Sequence, residues 1–181
     1  MLANITKIFY NCYKMIKSSL NNLSQKQLVD LIIRLYKKSP ENKELIDSIF
    51  DTTVIDCAYK KYKQQILQEF YPKKGLPKIR FSVMRSAIKK FKDISNNTQL
   101  IAELMYLIVI TGTKFCKEWG MDYEEYYNSL LSMFKTLLKH LEKSNLIGAF
   151  QQECNEIVRL SEDTGWGYHD DLTSIYEEYF E

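Results

Sequence analysis

Apolar side chains return every three or four residues along almost the whole of this chain, a period that lays them on one face of a helix and leaves little room for strands. Leu28, Leu31, Ile32, Leu35 and Tyr36 form one such stripe, and Leu45, Ile46, Ile49 and Phe50 a second. Ile55, Tyr59, Tyr62, Ile66 and Phe70 follow, then Met84, Ala87, Ile88 and Phe91. The longest stripe runs through Ile101, Leu104, Met105, Ile108, Gly112, Phe115, Cys116 and Trp119. Tyr127, Leu130, Leu131, Phe134, Leu137, Leu138 and Leu141 continue it, then Ile147, Phe150, Cys154, Ile157 and Val158, and finally Leu172, Ile175, Tyr176 and Tyr179. With only six glycines and three prolines in 181 residues, the chain lacks the turn residues that a β-sandwich or barrel spends. The expected fold is all-α: eight or nine amphipathic helices paired as antiparallel αα-hairpins, in a solenoid-like superhelix or an irregular bundle. One domain is expected over residues 1–181, with 1–22 a peripheral N-terminal helix.

Punctuation supports the period. Ser24 with Gln27 three residues on reads as a capping box, and Pro40 suits a first helical turn. "PKKGLP" ends one helix, and "NNTQ" separates two others. Gly112 falls on a buried stripe, where a missing side chain lets a neighbouring helix come close. Gly120 reads as a C-terminal glycine, and Asp122 with Glu125 as the next cap. "KIRFSV", Lys78–Val83, alternates like a strand, but a lone strand has no partner, so it reads as an extended lead-in to a helix.

Charge is divided along the chain. Residues 1–92 carry 19 basic and 7 acidic side chains, a net of +12, whereas residues 93–181 carry 6 and 16, a net of −10. Between Pro72 and Lys92 lie Lys73, Lys74, Lys78, Arg80, Arg85, Lys89, Lys90 and Lys92 without an acidic residue. Lys73, Lys74, Lys78, Arg80, Arg85, Lys89 and Lys92 are therefore the first candidate binding set. On a helix, Arg85, Lys89 and Lys92 fall within about 60° of one another. Such a cluster gains by pairing with an acidic protein surface or by releasing the counterions of a nucleic acid. It can equally pair with the chain's own acidic half. Phe81 and Phe91 fit a core better than a base-stacking platform, which sets nucleic acid behind an acidic protein partner.

The second candidate set is "TGWGYHDDL", Thr164–Leu172, with Trp166, Tyr168, His169 and Asp170. As a helix junction, Gly165 closes one helix, Trp166 and Tyr168 plug the core, and Asp170 or Asp171 caps the last helix. As a site, the same groups would serve an enzyme or a small-ligand binder. His169-Asp170 preceded by His140 is similar to the metal ligands of HD-type phosphohydrolases, but the further downstream Asp that family needs has no counterpart after Asp171. No P-loop, G-x-G-x-x-G, G-x-S-x-G or H-E-x-x-H occurs. Cys12, Cys57, Cys116 and Cys154 are too scattered for a zinc set and read as small buried hydrophobes. No metal or cofactor is expected. The run Leu104–Ile110 is far short of the roughly 20 residues that span a bilayer, and Asn4, Lys7, Asn11 and Lys14 interrupt any leader. A cytoplasmic chain that does not enter membranes is expected.

Four strings, "YPKKG", "SVMRSAIKKFK", "YYNSLLSMF" and "GWGYHDDL…YEEYF", occur in this order and resemble an uncharacterised bacterial family, domain of unknown function 6155. The resemblance covers most of Ser24–Phe180. It implies one helical domain and supplies no catalytic residue. The residues themselves favour a non-enzymatic helical module for protein interaction.

Overall fold

The computed structural model describes residues 2–180, with side chains described from Cys12 onward. Among these residues are nine α-helices and no strand, so the fold is all-α as expected. They are α1 (Leu2–Asn21), α2 (Gln25–Lys38), α3 (Pro40–Phe50), α4 (Thr52–Phe70) and α5 (Phe81–Ile94). After them come α6 (Thr98–Trp119), α7 (Glu124–Lys143), α8 (Gln151–Leu160) and α9 (Tyr168–Phe180). A 3₁₀ turn, Gly148–Phe150, leads into α8. The chain, expected as one domain, groups into two compact units, residues 1–50 and 51–181.

In the first unit, α1 occupies the expected N-terminal helix, and its side chains before Cys12 lie outside the described residues. The capping box forms as read: Gln27 N–H donates to Ser24 Oγ (3.3 Å), and Ser24 N–H donates to Gln27 Oε1 (2.8 Å). Pro40 opens α3 behind Ser39, whose hydroxyl accepts from Asn42 N–H at 3.1 Å. Lys43 holds Asp47 one turn on (2.7 Å) and lies 5.2 Å from the Tyr36 ring centre. The α2 stripe is not enclosed. No residue of that helix is buried, and Ile32 and Leu35 remain exposed. A unit of fifty residues has too little interior to cover such a face.

The second unit is built around α6, which packs against α4, α5, α7 and α8. Its sequence explains the position: Leu104–Ile110 is apolar all round, and twelve residues of α6 are buried. This helix has the length and apolarity to cross a membrane, but here 67% of its most apolar stretch is buried among neighbouring helices. Asn97 Oδ1 caps its start by accepting from Leu100 N–H at 3.1 Å, and Gly120 closes it at φ +66°. Trp119, read as the end of the buried stripe, is instead 71% exposed, stacked over Phe115 at 6.1 Å. Gly112 does meet the expected neighbour. A Cβ there would collide with Leu130 Cδ2 and lie 3.2 Å from Cδ1. Tyr126, four residues before Leu130, donates to the Gly112 carbonyl at 2.7 Å, and this bond ties α7 to the same notch.

Three tyrosine phenols of this unit donate to acidic side chains. Tyr59 on α4 donates to Glu103 on α6 (2.7 Å), Tyr71 to Glu118 (2.8 Å), and Tyr106 on α6 to Glu156 on α8 (2.8 Å). Four local expectations are corrected. α7 begins at Glu124 behind Tyr123, so Asp122 is not its cap. The lead-in Lys78–Val83 stops at Arg80, since Phe81–Val83 already belong to α5, and Ile79 takes φ +49°. Cys12 and Cys57 are exposed. Cys116 and Cys154 are buried as read, and burial pushes their thiols up to about 11 and about 12.

Candidate functional site

The basic segment separates into three parts with different surroundings. Arg80 turns back onto α4. Its Nη2 lies 2.6 Å from Glu69 Oε1 and its Nε 3.0 Å from Oε2, while its own backbone N–H also donates to Oε2 at 3.0 Å. The Glu69 carbonyl accepts from Lys78 N–H (3.1 Å) and Ile79 N–H (3.0 Å). One residue thus fastens the whole return of the chain into α5, and Arg80 is a structural cation rather than a free one. Glu69 was not singled out in the sequence, although a signal existed. It sits beside Phe70 on the stripe of Tyr62 and Ile66, and a carboxylate on a buried stripe requires a partner.

Glu69 is only 5% exposed, and hydrogen bonding from Arg80 holds its carboxyl below the usual carboxylate range. A carboxyl depressed in the folded state stabilises the fold above the unfolded value, about 4.3, and loses that contribution as pH falls through the folded one. Half of Arg80 is open to water, so the ion pair itself counts for little. The loss of the hydrogen bonds that the buried Glu69 carboxylate accepts from the Arg80 backbone N–H and guanidinium is the larger part. Glu69→Ala is expected to cost about 1–2 kcal/mol at pH 7. Thermal melts of both proteins should converge as pH is lowered from about 5 to below 4. A difference that is constant over that range would contradict the clamp.

Lys73, Lys74 and Lys78 are exposed on the Tyr71–Arg80 loop, where Gly75 turns the chain at φ +81° and Leu76 is 85% exposed. Arg85, Lys89 and Lys92 form the third part. They line one side of an open groove of about 300 Å³ whose floor is Ile88 from α5, Met105 from α6 and Met133 from α7, with Thr136 on the far edge. The Arg85 guanidinium lies 5.9 Å from the centre of the Phe81 ring, which fixes its stem along α5. No carboxylate and no aromatic ring lines this groove. Ion pairs among the described residues include Lys43–Asp47, Arg80–Glu69 and Lys114–Glu156, and none of these joins Arg85, Lys89 or Lys92 to the acidic half.

Trp166, Tyr168, His169 and Asp170 do not converge. α9 begins at Tyr168, one turn earlier than a cap at Asp170 or Asp171 requires, and both Asp side chains stand exposed in its first turn, where they favour the positive end of the helix dipole. Tyr168 is fully buried, with its OH 2.9 Å from Thr113 Oγ1. Thr113 spends its single proton on the Val109 carbonyl (2.8 Å), so Tyr168 is the donor. Trp166 is 54% exposed at φ +61° and does not plug the core, and Gly165 is not the positive-φ closure expected of it. His169 Nδ1 lies 2.9 Å from Ser161 Oγ and 3.2 Å from the Val158 carbonyl. Ser161 donates to that same carbonyl at 2.6 Å, which assigns the His169 proton to Nδ1. A serine whose proton is committed to a carbonyl, facing a protonated ring nitrogen, is not an activated nucleophile. The arrangement closes the end of α8. His140, the other histidine, donates from Nε2 to the Thr98 carbonyl at 2.9 Å.

Larger grooves exist but carry no matching pattern. One of about 540 Å³ between α7 and α9 holds Lys135 and Lys139 together with Asp171 and Glu178, so its charges offset each other. Another, of about 470 Å³, sets Lys117 and Arg159 beside Glu156 and Glu162. Among the described residues no group of His, Cys, Asp and Glu side chains is placed to hold a metal ion. No curated protein and no solved structure matches this chain. A family model does match, over residues 12–181, which extends the resemblance upstream of Ser24. This chain belongs to the family of unknown function DUF6155.

Proposed function

We propose that this protein is a non-enzymatic, α-helical interaction module that receives an acidic protein surface on the cation-lined groove of α5, α6 and α7. The observation that carries this reading is the set Arg85, Lys89 and Lys92. Three cations share one wall of a groove, and among the described residues no carboxylate forms an ion pair with them. Keeping three like charges side by side without a partner is a small, steady cost that complementary charge from outside would remove. Arg80 leaves the binding set because Glu69 occupies it, while Lys73, Lys74 and Lys78 extend the positive field at the start of α5. Exposed, unpaired thiols at Cys12 and Cys57 suit a reducing, cytoplasmic setting.

Changing Arg85, Lys89 and Lys92 together to Glu tests the reading, with fluorescent poly-L-glutamate as the probe in low-salt buffer. Binding to the unaltered protein should weaken steeply with added salt, and the triple variant should lose it by a factor on the order of 100. The melting temperature should stay nearly unchanged, since solvated charges are each worth little to the fold. Retention of poly-glutamate by the triple variant overturns the reading. A collapse of its melting temperature does the same, because it would mean that these cations serve the fold.

A further inference from the structure

The groove's floor says more about the occupant than its rim does. Cations alone would attract any polyanion, yet the buried side chains of Ile88, Met105 and Met133 line the bottom of the groove between them. A groove of about 300 Å³ has room for at least one large apolar side chain. The two methionines are unbranched, soft side chains that adjust to varied apolar shapes. The cations are not scattered either. Arg85, Lys89 and Lys92 stand four and three residues apart on a single helix, within about 60° of arc and over roughly 10 Å of its length. A second helix lying along α5 presents its own side chains at that same repeat, so its carboxylates meet the cations in register while one apolar residue between them faces the floor.

Resting on the reading that this groove takes an acidic protein, we infer that its occupant is an acidic amphipathic helix, anchored by one apolar side chain on Ile88, Met105 and Met133 and held by carboxylates at Arg85, Lys89 and Lys92. A nucleic acid fits less well, since no ring lines the groove to stack a base and the apolar floor would stay uncovered. Thr136 gives a means of separating floor from rim. It is exposed on α7 at the far edge of the groove, so Thr136→Trp fills the bed and leaves the three cations in the sequence unchanged.

The experiment measures fluorescence anisotropy with three labelled probes. The first is a synthetic helical peptide of about 18 residues with Leu and Glu on one face. The second is the same peptide with its Leu residues changed to Ser, and the third is poly-L-glutamate. The Leu peptide should bind on the order of 10- to 100-fold tighter than its Ser counterpart, as burial of one apolar side chain predicts. Thr136→Trp should erase that difference and leave poly-glutamate binding within about twofold, whereas the Arg85, Lys89 and Lys92 triple to Glu should lose all three probes. Equal binding of the Leu and Ser peptides overturns the apolar anchor and leaves the acidic-partner reading standing. Unchanged binding of every probe by the triple variant overturns both. A single-stranded oligonucleotide that binds more tightly than the Leu peptide, and is lost in the triple variant, overturns the class of partner.

Discussion

Tyr168→Ala is expected to lower stability by about 3–5 kcal/mol, while Trp166→Ala, two residues earlier, changes it by less than about 1 kcal/mol. The contrast follows from position. Tyr168 is completely enclosed, its ring 5.3 Å from that of Tyr127, and its hydroxyl donates to Thr113 in the centre of the unit. Truncation leaves a cavity bounded by α6 and α7 and strips Thr113 of the bond it accepts. Trp166 is half in solvent, on a residue whose φ of +61° already strains a β-carbon. Tyr168→Phe isolates the hydroxyl and should cost about 1 kcal/mol. In a unit of this size, melts should place the Tyr168→Ala midpoint on the order of 10–20 °C below that of the unaltered protein. If Trp166→Ala fell as far as Tyr168→Ala, the placement of both rings would be wrong.

That pair also shows where the sequence stopped being legible. Both aromatics lie in the same string, and both read as inward plugs. Which one points inward depends on where α9 starts. Two aspartates just before an apolar run look like caps, and that reading puts Tyr168 outside the helix. With α9 starting at Tyr168, the same aspartates stand inside the first turn, and Tyr168, Leu172 and Ile175 form one buried stripe at i, i+4, i+7. A carboxylate favours both the cap and the first turn, so composition could not decide between them. The helical period did decide the class of fold and the long helices α4, α6 and α7, because each stripe is a local pattern summed over three or more turns. Single caps and turns carry no such redundancy.

The candidate site was legible in part, for a related reason. The run of cations from Lys73 to Lys92 is a composition signal, and the helical repeat placed Arg85, Lys89 and Lys92 together. Two facts were not local. Arg80 is withdrawn by a carboxylate eleven residues back, across a loop, and the apolar floor comes from α6 and α7 as well as α5. No window along the chain contains Ile88, Met105 and Met133 together. A charge run can therefore suggest a binding face, but only the packing of three helices turns part of it into a groove with a shape.

Gly112→Val should be among the most damaging single changes outside the aromatic core, on the order of 3 kcal/mol, because the interface it disturbs has no slack. A first carbon at Gly112 already collides with Leu130 Cδ2 and sits 3.3 Å from Cγ. Leu130 is fully buried and cannot swing into solvent to make room. The alternative is for α7 to retreat, which stretches the Tyr126–Gly112 hydrogen bond and opens the layer that α7 forms with α6. Better helix propensity for the new residue returns at most about 1 kcal/mol, so overpacking wins. Leu130→Ala alone should cost about 2–5 kcal/mol by leaving a cavity. In the double variant the valine occupies part of that cavity, and the two costs should fall short of their sum by about 1–3 kcal/mol. Denaturant titrations of the four proteins measure this coupling. Additive losses would mean that α6 carries a glycine at this position for some reason other than the approach of α7.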